Sequence, residues 1–510
     1  MKAGAGIALT ALCAAVAALP AAMTINSDVA WYMQAVRQWA GGDRLYIDIG
    51  DPNLPAIYLL QRMAFEIAAL FGEAGQGQGD YFALLGLYAL LLLAVSLFAR
   101  RLLRDLPELE RSAKTALVFG FPLIAGLAGL GNFAEREHWM LAALLPHALC
   151  VYRLQLGSPA PRSLSLTAAL LAAVFALLKP HFLLPYLLLE LYLALRLRRL
   201  WLPLRRENLI AAAVYLLALG LQALAFPAYF TEILPLVRES YGAYAFGWFL
   251  GFGRIDVWLP CALSLAFLIL APRLLPRAAA ELAQILLVLA LAFALLYLLQ
   301  QKGWYYQFIP ALAYSTLGCC LIAVCLLRAR RHLLAAGGAL LLPLLLLYVS
   351  AHSLTNYWNY RAEVIALARL LEGQEDRSLL HLSTAMTPAI QAAVLSHARW
   401  TYSQPQLWRL PAFYQTRFND GIAPPPRPLD AQSPSEAAFF RDVIAAFTDS
   451  PPRVVSIAAS ESPPALWERD FDFLAYFLQD PDFAAIWQDY EAVETSAGHR
   501  FYLRRETPAQ

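Results

Sequence analysis

Eleven apolar stretches are strung along this chain of 510 residues, near 3–24, 80–99, 115–131, 139–155, 163–178, 182–196, 209–226, 255–271, 280–299, 305–327 and 333–351. Most approach the roughly 20 residues that 30 Å of hydrocarbon requires. A segment in lipid must satisfy its own N–H and C=O groups, so stretches of this kind are helices. With 60% hydrophobic residues the chain is too apolar for a soluble enzyme. The expected fold is therefore a polytopic α-helical membrane protein of about 11 transmembrane helices. The weakest joint is Lys179-Pro180-His181, where one kinked element could replace the short fifth and sixth spans.

Charge sets the expected sidedness. Arg100, Arg101, Arg104, Arg111 and Lys114 lie between spans 2 and 3, and Arg196, Arg198, Arg199, Arg205 and Arg206 between spans 6 and 7. Arg153 and Arg162, then Arg273 and Arg277, then Arg328, Arg330 and Arg331 follow spans 4, 8 and 10. All are even-to-odd connections, so the positive-inside rule puts them in the cytoplasm with the N-terminus. The six cysteines lie in apolar spans and suggest neither disulfides nor a metal site. The Ala/Leu/Arg-rich usage fits a bacterial inner membrane with a periplasmic C-terminal part.

Two regions depart from the apolar pattern. The first outward loop, 25–79, has apolar and aromatic residues at helical spacing over Val29 to Trp39, closed by Gly41-Gly42, and again over Ala56 to Phe71. These read as amphipathic helices on the membrane surface. Residues 1–355 thus form the expected transmembrane domain and 356–510 a periplasmic soluble domain. In the latter, Ser378 to Ser383, Arg453 to Ala458 and Arg500 to Leu503 read as strands, with helices over Ala389 to Leu395 and Ala437 to Phe447. A small α/β or α+β domain is expected, with a loop at Ala423 to Pro428.

The exceptional polar residues gather on the outward side. Asp28 stands in Asn26-Ser27-Asp28, an N-cap-like position whose plainest role is to cap the helix for about 1 kcal/mol. Asp51 and Asn53 stand at the mouth of the second surface segment, and the solvated Asp43 and Asp48 precede them. Glu135-Arg136-Glu137-His138 opens span 4; four ionisable side chains at an interface are costly unless they are paired or used. An Arg136 salt bridge to Glu135 or Glu137 is the structural reading, and anion binding at a helix N-terminus the functional one. Lys179 and His181 offer cations at headgroup depth, or a snorkelling lysine beside a kink. Arg238-Glu239 with Tyr241, Tyr244, Phe246, Trp248 and Phe249 form an aromatic anchoring belt or a lid. Lys302-Gly303-Trp304-Tyr305-Tyr306 brings another cation with aromatics that could stack on a sugar.

The order of these elements resembles the GT-C glycosyltransferases: a span, Asn-Ser-Asp opening a surface helix, then a Gly-Asp-Arg-Leu-Tyr-x-Asp turn leading to a Pro and a second surface helix. These membrane enzymes take sugars from polyprenyl phosphates. The resemblance covers residues 1–350 in architecture and implies a sugar transfer at the outer face, with inversion. It implies Asp28 as general base, with Glu135 and Glu137 as further acids at the catalytic centre. Arg136, His138, Lys179, His181 and Lys302 would serve the donor phosphate, and Asp51, Asn53, Arg238, Glu239, Trp304, Tyr305 and Tyr306 the substrates. The partners so implied are a polyprenyl-phosphate-sugar donor, a glycan or lipid acceptor and membrane lipids, with nothing pointing to nucleic acid. Metal use is left open: Asp28, Glu135, Glu137 and His138 could hold a divalent cation. The Asp-Glu pair of protein mannosyltransferases is absent, since Val29 follows Asp28. Two other classes stay open, a polysaccharide polymerase or ligase and a lipid-carrier transporter.

The charge pattern makes a direct prediction. Phosphatase fusions, active only outside the cytoplasm, should be active after residue 372 and inactive after Arg199. The reverse pattern would overturn the sidedness.

Overall fold

The computed structural model describes residues 3–245, 254–414, 426–459, 466, 471–496 and 498–505, except 74, 76 and 77. The expected aromatic residues Phe246, Trp248 and Phe249, and all but the last residues of the loop at 423–428, lie outside the described residues.

A helix stands at each of the eleven apolar stretches. In chain order the membrane part comprises α1 (Ala3–Ala18), α2 (Ser27–Gly41), α3 (Pro55–Leu70), α4 (Gly79–Arg104), α5 (Arg111–Ala128), α6 (Arg136–Gln155) and α7 (Arg162–Ala176). It continues with α8 (Leu183–Leu197), α9 (Arg206–Ala225), α10 (Leu234–Ser240), α11 (Ile255–Leu274), α12 (Arg277–Gln300), α13 (Ile309–Ala329) and α14 (Leu333–Glu372). Among the described residues, 8 helices are long and apolar enough to cross a membrane. α5, α6 and α7 fall outside that set, α7 because it has only 15 residues.

The exception of α6 has a physical cause. Every residue from Arg136 to Arg153 is buried, because α6 runs through the protein and touches α4, α7, α8, α12 and α13. A helix surrounded by protein need not be apolar all round, whereas one facing lipid must be. The outer helices obey the second condition, with Leu187, Leu191 and Leu195 of α8 and Leu216, Leu217 and Leu224 of α9 exposed. The Lys179 break is real: α7 ends at Ala176 and α8 begins at Leu183, separated by a short 3-10 turn over Pro180–Phe182.

Both expected surface helices form. α2 ends where Gly42 takes φ 116°, a left-handed conformation that suits glycine. Its apolar face, with Val29, Tyr32 and Val36, is buried, while its Gln34, Arg37 and Gln38 hydrogen-bond the C-terminal domain through the carbonyls of Ala398, Val394 and Trp400.

The C-terminal domain is α/β. Its five-stranded sheet has the order β2-β1-β3-β5-β4, from β1 (Ser378–Leu382), β2 (Arg399–Trp400), β3 (Val454–Ala458), β4 (Tyr490–Ser496) and β5 (His499–Arg504). β1 pairs in parallel with β2 and β3, and β5 runs antiparallel to β3 and β4. Helix α15 (Ala389–Ser396) crosses from β1 to β2 and packs on α2 and α14. The two-residue β2 and the acidic β4 have no counterpart among the expected strands. The expected boundary at 355/356 falls inside α14, one continuous helix of 40 residues that carries the chain out of the membrane and into this domain.

Gly129 illustrates how tightly the entry to α6 is fitted. A Cβ there would fall on the His138 imidazole. Gly129→Ala should therefore displace His138 and cost about 1–3 kcal/mol, read as a lowered Tm of the purified protein; an unchanged Tm would mean that the ring has room to move.

Candidate functional site

A cavity of about 430 Å³ lies where the loops after α1, α5, α10 and α12 meet the C-terminal domain. Eight of the expected site residues line it: Asp28, Asp51, Asn53, Glu135, Arg136, Trp304, Tyr305 and Tyr306. They come from segments up to 278 residues apart in sequence (306 − 28), and the contacts between loops bring them together.

The start of α2 differs from the expectation in one respect. Asn26, not Asp28, is the N-cap of α2: its side-chain oxygen accepts the N–H groups of Asp28 at 2.8 Å and Val29 at 3.3 Å. The Asn26 amide also donates to Asn132 Oδ1 at 3.2 Å, tying the first outward loop to the second. Asp28 is left in the first turn with its carboxyl directed at the cavity rather than spent on the cap.

Glu135 is the N-cap residue of α6 and is fully buried. Neither of its carboxylate oxygens meets a hydrogen-bond donor among the described residues. Burial first, and the neighbouring Asp28 carboxyl second, hold its pKa well above the usual carboxylate range. A carboxyl without donors is held in its neutral form, in which it can itself donate a hydrogen bond. Arg136, the first residue of α6, donates to Asn53 Oδ1 and keeps a buried Nε without a partner among the described residues.

The Asp51 carboxylate receives the Trp31 indole N–H at 2.7 Å and the Asn53 backbone N–H at 2.6 Å. Burial nevertheless pushes its pKa up to about 6, against those hydrogen bonds. Tyr46 fixes the same turn by donating to the Asn53 carbonyl at 2.7 Å. Asp48 instead pairs with Arg44 at 2.9 Å in solvent, as expected of that loop.

The remaining expected residues stand elsewhere. Glu137 turns away from Asp28 and accepts from Lys179 Nζ at 2.9 Å; its second oxygen has no partner among the described residues. Lys179 is buried against it, and that burial lowers the ammonium pKa. His138 is also withdrawn: Nδ1 accepts the Ala134 N–H at 3.2 Å, and the ring stacks on Tyr88 with centroids 5.5 Å apart. The four-residue cation site of Asp28, Glu135, Glu137 and His138 is therefore not assembled. No group of three or more His, Cys, Asp or Glu side chains suited to a metal occurs among the described residues.

Lys302 sits behind the aromatic wall, donating to the Tyr241 carbonyl and lying 3.9 Å from that ring's centroid. Burial, with Lys179 adding repulsion, lowers its pKa to about 7. His181 is exposed outside the lining. Arg238 and Glu239 are exposed on α10 and do not reach the cavity; Tyr241 and Tyr244, just beyond them, do.

Those tyrosines build an aromatic wall with Trp304, Tyr306 and Trp408. Tyr241 and Tyr244 meet Trp304 edge-on at 6.2 and 5.7 Å, and Trp304 stacks on Tyr306 at 6.0 Å. The Tyr244 hydroxyl donates to the Trp408 carbonyl at 2.9 Å. Sequence reasoning assigned the C-terminal domain's share of the cavity to no residue: Thr384, Ala385, Met386, Thr387, Pro405, Gln406 and Trp408. These follow the carboxyl ends of β1 and β2, where loops of parallel strands ordinarily hold ligands. A polar Ser-Thr-x-x-Thr run directly after a buried strand was the available signal.

No family model matches the chain, and no curated protein matches it. Among solved structures, the fold is similar to that of the Archaeoglobus fulgidus oligosaccharyltransferase tethered through a disulfide to an acceptor peptide containing the NVT sequon. Identity is 14%, the match covers 99% of this chain and 74% of that one, and the TM-score is 0.49. That similarity is too distant to bear on the chemistry of the cavity.

Asp51 yields a pH prediction. An unfolded aspartate releases its proton near pH 4, whereas folded Asp51 does so at about 6. The folded state therefore binds the extra proton in this window, and the contribution to stability is full below about 4 and lost as pH rises through about 6. Between pH 4 and 7 the Tm of wild type should fall relative to that of Asp51→Asn; parallel profiles would show that Asp51 ionises normally.

Proposed function

We propose that this protein is a GT-C-type glycosyltransferase that moves a sugar from a polyprenyl-phosphate-linked donor to an envelope glycan or lipid acceptor at the outer face of a bacterial inner membrane. The observation that carries this reading is the uncapped Asp28 carboxylate beside a buried neutral Glu135 and opposite Arg136, in one cavity between membrane helices and an outward domain. The motif resemblance of the first outward loop supports it independently.

Each part of the cavity has a task in such a transfer. Asp28 takes the proton of the acceptor hydroxyl as its oxygen attacks the anomeric carbon. The bond from that carbon to the phosphate oxygen breaks, the polyprenyl phosphate leaves with the electron pair, and the configuration inverts. Glu135, neutral beside Asp28, donates to the Asp28 carboxyl and orients it. Of the cations first considered for the phosphate, Arg136 alone lines the cavity, with Lys179 held by Glu137 and Lys302 by Tyr241. Arg136 is therefore assigned the departing charge. The Trp304 and Tyr306 faces suit a sugar ring, and the loops after β1 and β2 suit the acceptor.

The test is transfer of radiolabelled sugar from a panel of polyprenyl-phosphate sugars in membranes carrying wild type or Asp28→Asn at matched expression. The substitution should lower transfer by about 10²–10⁴-fold with unchanged protein level. Equal rates would remove Asp28 from the mechanism, and silence of wild type with every functional donor would favour a polymerase, ligase or transporter.

A further inference from the structure

A second cavity, of about 170 Å³, opens at the end of the bundle that carries the arginine-rich connections. Its walls include His147, Cys150, Arg162, Ser165, Arg205 and Glu207. Behind it lies a buried ionic network. Glu190 accepts both terminal nitrogens of Arg205 at 2.8 Å, and the His147 Nε2 approaches it at the same distance. Arg205 Nε binds Glu207 at 2.9 Å. The His147 ring stacks on Tyr186 with centroids 4.2 Å apart, and the Tyr186 hydroxyl donates to Asn208 at 2.8 Å.

With Nε2 engaged by Glu190, His147 presents Nδ1 to the cavity. That nitrogen has no hydrogen-bond partner among the described residues, although the side chain is only 1% exposed. Buried polar atoms of this kind are ordinarily satisfied. Two helix N-termini also converge here. α7 starts at Arg162 after Pro161, and α9 at Arg206 after Arg205, and neither cap residue supplies a side-chain hydrogen bond. The first turn of α7 contributes Arg162 and Ser165 to the cavity rim, beside Pro159 and Ala160. Glu207 in the first turn already complements α9.

The charges decide the sign of the ligand. Glu190 and Glu207 offset Arg205 and Arg162, leaving the positive end of the α7 dipole uncompensated. We infer that this cavity binds a phosphate group, held by His147 Nδ1, Arg162, Ser165 and the first turn of α7. The phosphate could come from a phospholipid headgroup or from solution. This site is separate from the outward cavity and does not depend on the proposed transfer.

The test uses the purified full chain, with Arg162→Ala and Ser165→Ala as rim variants, Arg162 being exposed and outside the buried network. Inorganic phosphate should raise the Tm beyond an equal ionic strength of chloride, with an affinity about tenfold lower in Arg162→Ala. In nanodiscs of mixed phosphatidylglycerol and phosphatidylcholine, native mass spectrometry should show preferential retention of phosphatidylglycerol, reduced in the same variants. A response to phosphate identifies a soluble anion as sufficient, and a response confined to phosphatidylglycerol identifies a lipid headgroup. No preference for either probe, or binding by both variants equal to wild type, would overturn the inference.

Discussion

The entry of α6 into the protein is the constraint on which the cavity-bearing half of the molecule depends. Three ionisable residues in succession, Glu135, Arg136 and Glu137, are buried at a helix start, where each unpaired charge costs several kcal/mol. Each is answered by a different segment: Glu137 by Lys179, Arg136 by Asn53, and Glu135 by neutralisation beside Asp28. The loops between α1 and α4, and between α7 and α8, are therefore fixed relative to α6 by electrostatics as well as by packing. Gly129 and Ala134, the latter at φ 63°, shape the approach that makes room for His138 below them.

A second tie closes the cavity from above. α2 packs on α3 on one side and on α15 of the C-terminal domain on the other, and its polar side chains reach the C-terminal domain. Gln38 satisfies the Trp400 carbonyl of the edge strand β2, and Gln34 and Arg37 satisfy the carbonyls of Ala398 and Val394, beyond and at the end of α15. The Gly50 N–H donates to the Ser403 carbonyl at 2.7 Å, and Trp31 meets Trp400 at 6.3 Å. One short helix thus carries Asp28 at its start and the C-terminal domain along its flank, so Asp28 and the roof of the cavity share a single rigid element.

Much of the architecture was legible because lipid imposes it. Span positions followed from apolar length, surface helices from 3.6-residue spacing, and β1, β3 and β5 from short buried runs. The strand β4 was not legible, since its exposed Glu491 and Val493 give no alternation of apolar and polar residues and its partner β5 alone gives it a reason to be extended. Similarly, Arg238 and Glu239 carry the charge pattern of a site yet stand in the open, because α10 turns that face outward.

The sequence by itself determined that this chain is a bundle of membrane helices, which loops lie together on one side, and that Asp28, Glu135 and Arg136 belong to one region. Each of those conclusions rests on hydropathy and charge, properties that residues carry with them. Tertiary structure alone decided that Asn26 frees Asp28, that Glu137 and His138 withdraw into structural contacts, and that Thr384 to Thr387 and Trp408 complete the cavity. Those outcomes depend on which buried polar atom meets which partner across hundreds of residues, and no local pattern encodes that choice.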